Sequence, residues 1–164
     1  MSSFTHLDGS GRVHMVDVTE KQPTIRSATA RGFVRCSDAV MQALRDQTVP
    51  KGDVFALARV AGIAGAKKCA ELLPLAHIIG VHGASVEVAL AEDGVAIEAT
   101  VRTADRTGVE MEALTAVSIA ALNVVDMVKG LDKSVAVERI ELIAKTGGKS
   151  GAWYRDGFGP ADAE

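Results

Sequence analysis

The most constraining stretch of this sequence is a pair of alternating runs, Ala84–Ala91 and Val95–Thr103, separated by Glu92-Asp93-Gly94. Alternation at period two puts every second side chain on the same face of a strand. An Asp-Gly pair between such runs supplies the backbone freedom that a tight reversal requires. The two runs therefore form neighbouring antiparallel strands. One face of that hairpin is apolar and needs a partner layer, so the chain must provide helices or a second sheet to cover it.

Helical periodicity supplies that layer. The clearest helix runs from Val109 to about Leu131, and Thr107-Gly108-Val109-Glu110 ahead of it matches a capping box, with Thr107 at the cap and Glu110 three residues on. A second helix is predicted from Val54 to about Leu72, with Asp53 as its N-cap and Leu73-Pro74 as its stop. Its run of Ala56, Ala58, Ala61, Gly62, Ala64, Gly65 and Ala66 leaves little side-chain volume, so another element can approach closely. A shorter helix follows Ser37, with Val40, Met41 and Leu44 on one face, and ends before Val49-Pro50. Thr24–Cys36 and Val135–Ala144 read as strands, and His14–Val18 as a short extended piece. The order is strand, helix, helix, strand, strand, helix, strand. That order specifies an α+β fold, an antiparallel sheet with helices packed on one face. With no repeat and no linker, residues 1–164 form a single domain whose mobile ends are 1–12 and 157–164.

Composition narrows the function. Hydrophobic residues make up 48% and charged residues 24% of the 164, which is enough apolar surface to offset the entropy of ordering. A net charge of −3 argues against a broad nucleic-acid footprint, and 4% aromatics against a stacking platform for single strands. Cys36 and Cys69 lie far apart with no Cys-x-x-Cys pattern, so neither a disulfide scaffold nor a structural zinc site is expected. The first fifteen residues lack the pattern of a secretory signal, and charges break the apolar stretches before a membrane-spanning length. No membrane partner is expected, and a reducing cytoplasm is the expected location.

Few residues stand out chemically. Asp126 and Lys129 are three apart on the long helix and meet. An ordinary ion pair on the rim of a core helix accounts for them as well as a catalytic pair does. Glu112 falls on the same face, about 20 Å from Asp126 by the helical rise, too far for one acid–base pair within a chain. His77 sits in the apolar loop Leu75–Gly80 with no second ligand at metal spacing, so no metal site is expected. His6, His14 and His82 read as surface residues. Lys145-Thr-Gly-Gly-Lys149-Ser-Gly151 looks like a phosphate loop, but position 143 is Ile143 where the nucleotide-binding spacing needs glycine. A backbone nest for phosphate and a plain surface turn both fit it. Arg26, Lys67, Arg102 and Arg106 are further cations at element ends. Spacing alone thus reaches a soluble α+β domain with scattered cations, suited to a phosphorylated anion.

Longer strings carry more. His14-Met-Val-Asp-Val18, Lys51-Gly-Asp53, Ala58-Arg-Val-Ala-Gly-Ile63, Leu73-Pro-Leu-Ala-His77 and Thr107-Gly-Val-Glu-Met-Glu-Ala-Leu-Thr-Ala116 occur in order. Ala120-Ala-Leu122, Asp126-Met-Val-Lys129 and Lys145 to Gly151 complete the set. Together they resemble the cyclic pyranopterin monophosphate synthase (MoaC) family of molybdenum cofactor biosynthesis, over roughly residues 5 to 153.

The resemblance implies a ferredoxin-like fold and a homohexamer, a trimer of dimers with the active site at the dimer interface. It implies a small-molecule substrate, 3′,8-cyclo-7,8-dihydro-GTP, converted to cyclic pyranopterin monophosphate with release of pyrophosphate and no cofactor. Carried over by position, Lys129 is the main general acid/base, Asp126 sets its charge and orientation, and Lys51 is a second proton-transfer group. Leu75, Ala76, His77, Met111 and Glu112 fall at the substrate, with Glu110 beside them. Arg26, Lys67, Lys145 and Lys149 are candidates for the triphosphate. If Lys51 and Lys129 come from different subunits, mixing chains that each lack one lysine should restore activity. One departure stands out: the family loop reads Leu-Cys-His-Pro, whereas this chain reads Leu75-Ala76-His77-Ile78. That change leaves room for an alternative, a catalytically weak paralogue that binds pterin nucleotides or assembles with other chains.

Overall fold

The hairpin forms as expected. β2 (Gly83–Leu90) and β3 (Gly94–Asp105) pair antiparallel, Leu90 opposite Val95 and Gly83 opposite Arg102. The computed structural model describes residues 7–159; positions 1–6 and 160–164, with His6 and the outer parts of the expected mobile ends, lie outside the described residues. β1 (Thr24–Arg35) lies beside β3, and β4 (Ala136–Thr146) pairs with β1 on its other side. β5 (Trp153–Tyr154) adds a short edge, giving one antiparallel sheet in the order β2-β3-β1-β4-β5.

The helices are α1 (Asp38–Arg45), α2 (Val54–Lys67), α3 (Cys69–Leu72) and α4 (Glu110–Val128). The inward residues of central strand β1 are Ala28, Ala30, Gly32 and Val34, small enough to leave a trough. α4 lies in it: a side chain at Gly32 would begin 2.5 Å from Val117 Cγ1. α2 packs on α4 through its small residues, as the Ala/Gly run predicts. A Cβ at Gly65 would lie 2.7 Å from Ile119 Cγ1, and one at Gly62 would lie 3.0 Å from the Ala116 carbonyl. The two helices run in opposite senses, because Lys51 ahead of α2 reaches Asp126 near the end of α4, while Cys69 beyond α2 meets Thr115 near its start.

Four expectations need correction. Thr107 does not cap α4: Val109 holds the N-cap position without any side-chain bond, and Glu110 turns away to pair with Lys145 of β4 at 3.0 Å. The tertiary ion pair takes the glutamate that the local motif needs. α2 does not run on to Leu72 but breaks at Lys68, and the break delivers Cys69 into the core beneath α4. His14–Val18 joins no strand; the only bridge of that arm among the described residues is Leu7 with Val13. Charge does not keep α4 short of a spanning length, since it is long and apolar enough by composition. Its apolarity serves the core instead, where Ala113, Ala116, Val117, Ala120, Val124 and Val128 are buried. Asp53 caps α2 as expected, accepting from Ala56 N at 2.9 Å, whereas Ser37 holds the N-cap of α1 with no side-chain bond.

Candidate active site

Lys51 stands in a turn ahead of α2. Gly52 N–H donates to the Val49 carbonyl at 3.0 Å, and Gly52 takes a φ of +101°, a conformation that favours glycine. The turn directs Lys51 Nζ at the end of α4, where it donates to Asp126 Oδ2 and to the Asp126 carbonyl, each at 2.8 Å. Lys129, three residues on, reaches Asp126 Oδ1 at 2.6 Å. A carboxylate at a helix C-terminus meets the negative end of the macrodipole, and two cations here offset it. Asp126 is held down at about 2, first by Lys129 and then by Lys51. All three side chains are about half exposed, at 50%, 53% and 57% for Lys51, Asp126 and Lys129. Lys51 and Lys129 thus grip one carboxylate within one chain.

The other end of α4 borders a cleft of about 650 Å³. Leu75, Ala76 and His77 form one wall, and Glu110, Met111 and Glu112 of the first turn of α4 form the floor. Val16, Val18 and Lys21 of the N-terminal arm close the third side. Glu112 is 4% exposed. Burial pushes its carboxyl up, and the nearby Glu110 adds to that, while the Cys69 thiol and His77 oppose it. Beneath Glu112, Thr115 Oγ1 donates to Cys69 Sγ at 3.5 Å, and burial raises the Cys69 thiol. Ile78 projects into solvent, 92% exposed, and does not line the cleft.

A third feature adjoins this cleft through Lys21. Lys21, Gln22, Thr24, Arg26, Gly148, Lys149 and Ser150 line a second, polar hollow. Gly147, Gly148 and Gly151 all take positive φ, and the Arg26 guanidinium lies where a Gly148 side chain would stand. Arg26 is braced by the carbonyls of Asp105 and Arg106, at 3.1 and 3.3 Å.

The expected site residues therefore fall into separate groups. Lys51, Asp126 and Lys129 meet; Leu75, Ala76, His77, Glu110, Met111 and Glu112 meet; Arg26 and Lys149 meet. Lys145 reaches the second group by pairing with Glu110. Lys67 is exposed at the end of α2 and lines neither hollow. Sequence reading missed Val16, Val18 and Lys21, because the arm has no periodicity to mark it. It also missed Cys69, whose place under Glu112 depends on the break at Lys68. Among the described residues, no group of three or more His, Cys, Asp or Glu side chains is placed to hold a metal.

Comparison with known proteins gives consistent results. A profile of the MoaC family matches residues 15–148. The chain is 54% identical over 152 residues to a Streptomyces griseus protein named cyclic pyranopterin monophosphate synthase, covering 93% of this chain and 86% of that one. It is 55% identical over 155 residues to the Nocardioides protein of the same name, covering 93% and 95%. The Chloroflexus aurantiacus protein of that name is 51% identical over 156 residues, covering 94% and 96%.

Proposed function

The chain belongs to the MoaC family, and from that premise we propose that it is a cyclic pyranopterin monophosphate synthase. It converts 3′,8-cyclo-7,8-dihydro-GTP to cyclic pyranopterin monophosphate and pyrophosphate. The observation that carries the reading is the closure of Lys51 and Lys129 on Asp126. Forming the cyclic phosphate needs a sugar-derived hydroxyl to lose its proton as it attacks the α-phosphorus, while the α–β bridge bond breaks and pyrophosphate leaves. Rebuilding the ring system moves further protons between heteroatoms. Two lysines on one carboxylate place two proton-transfer groups side by side, with Asp126 holding both in place. In this assignment Lys129 is the main acid/base, Lys51 the second, and Asp126 the group that orients them. His77, Met111 and Glu112 take the guanine-derived part, with Leu75 and Ala76 as apolar wall and Glu110 tied to Lys145. Arg26 and Lys149 take the triphosphate, and Lys21 joins them. Lys67 is the least supported member, since it is placed away from both hollows.

One chain does not assemble all of this around one small molecule. Fourteen residues of α4 separate Glu112 from Asp126, about 21 Å along the axis. A two-fold related copy that brings its cleft to this Asp126 would remove the gap and cover the half-exposed lysines, which supports a site at a dimer interface; the hexamer built from such dimers is what the family resemblance implies. A cytoplasmic location goes with this reading. The weak-paralogue alternative is not favoured, because the lysine–aspartate cluster is complete and the curated relatives carry the synthase name. Direct turnover tests the proposal. Incubation with 3′,8-cyclo-7,8-dihydro-GTP should release pyrophosphate with the pterin product, and Lys129→Ala should abolish both. Substrate binding without product from the folded parent chain would overturn it.

A further inference from the structure

Val16 and Val18 of the His14–Val18 string line the cleft with their side chains, and the backbone of this arm also touches His77. His77 Nε2 lies 2.6 Å from the backbone carbonyl of Val16. A carbonyl oxygen can only accept, so this ring nitrogen must carry the hydrogen. Among the described residues Nδ1 has no hydrogen-bond partner. We propose that the Val16 carbonyl is a positioning group for His77. It fixes the neutral ring as the Nε2–H tautomer and leaves Nδ1 as an acceptor for an N–H or O–H of the bound heterocycle. The substrate half of this rests on the synthase reading; the tautomer half does not.

The arm is built to hold that carbonyl in place. Val16 and Val18 are half-buried and line the cleft, while Asp17 between them is exposed. Asp17 Oδ1 accepts from Thr19 N at 2.9 Å and from Thr19 Oγ1 at 2.6 Å, fixing the turn that follows. Lys21 N–H closes on the Val18 carbonyl at 3.0 Å, and Arg106 Nε donates to the Lys21 carbonyl at 3.0 Å. The arm is thereby tied to the end of β3. On the other side, the Ala76 N–H bond to the Leu73 carbonyl, 3.0 Å, shapes the loop that presents His77. Neither device needs the side chains of Ala76 or Ile78. The clamp also has an electrostatic consequence. Lys21, Glu110 and Glu112 line the same cleft, and an unclamped imidazole N–H would be drawn to a glutamate carboxylate and fill the space. Anchoring the N–H outward on the arm keeps Nδ1 and Glu112 both available to a ligand.

The test reads the ring directly. Full-length chain carrying ¹⁵N-histidine, in mildly alkaline buffer, should show His77 as the Nε2–H tautomer, with His77→Asn assigning the signal. The native Cys36 allows ligation of a synthetic 1–35 segment in which the bond between Val16 and Asp17 is an ester, which weakens that carbonyl as an acceptor and removes the Asp17 N–H, a donor without a hydrogen-bond partner among the described residues. The ester protein should lose its tautomer preference, and KM should rise about fivefold with kcat within about twofold, the loss expected of one ordinary hydrogen bond. An Nδ1–H tautomer in the parent chain, or an ester protein with unchanged tautomer and KM, would overturn the proposal. If neither protein turns over, the synthase reading fails, and the tautomer measurement still decides the clamp.

Discussion

Asp126 is reached by Lys129 from three residues away and by Lys51 from 75 positions earlier. The first contact is legible from spacing on a helix. The second depends on a turn and a helix pairing, which no spacing in the sequence marks. Because Asp126 sits at about 2 in the folded chain, below an ordinary carboxylate at ~3.9, its ionised form stabilises the fold. That contribution is complete above the unfolded value and disappears as pH falls through the folded one. The stability difference between the parent chain and Asp126→Asn should therefore shrink as urea titrations move from pH 5 towards pH 2. A constant difference would mean that the lysines do not hold the carboxylate. Glu112 runs the other way: burial raises it, so the folded state favours the protonated form and ionisation costs stability as pH rises. Glu112→Gln should gain stability relative to the parent as pH rises above the ordinary carboxylate range in the same titrations, even as it weakens substrate binding. Its burial is not readable from sequence, where Glu112 is simply a polar residue in an otherwise apolar helix.

At the scale of elements, the hairpin, α2 and α4 were legible because each is written in consecutive residues. The errors have non-local causes. The capping-box pattern at Thr107 is present, but Lys145 on β4 claims Glu110. Thr107→Ala should accordingly change stability by less than about 0.5 kcal/mol, short of the ~1 kcal/mol lost with a working cap. A full capping loss in thermal or urea unfolding would restore the local motif. β5 is two residues long and exists only because β4 offers an edge at Ala144 and Lys145, so nothing in Trp153-Tyr154 alone announces it. The small-residue face of α2 was read correctly as a close-approach surface. Gly65→Ala would place its Cβ 2.7 Å from Ile119 Cγ1, and overpacking of this kind costs about 1–3 kcal/mol. Urea unfolding should show that loss, and adding Ile119→Ala should recover part of it.

For the whole molecule, the governing fact is that α4 carries the lysine–aspartate cluster near one end and borders the His77–Glu112 cleft at the other. The lysine–aspartate cluster is complete within a chain, and so is the His77–Glu112 cleft, yet a single chain keeps them about 21 Å apart. Sequence arithmetic already contained that distance. What it lacked was the pairing of Lys51 with Lys129 on one carboxylate, which changes which chains can rescue each other. In a symmetric dimer built from two defective chains, a site is intact only if the two defects lie in different halves of it. The decisive measurement is subunit mixing, by unfolding and refolding variant chains together and assaying pyrophosphate release. Lys129→Ala mixed with His77→Ala should recover activity in about one site in four, while Lys51→Ala mixed with Lys129→Ala should recover none. Rescue by the two lysine variants would contradict the pairing of Lys51 and Lys129 on one chain's carboxylate, and failure of the cleft and lysine variants to rescue each other in confirmed mixed oligomers would contradict a site shared between two chains.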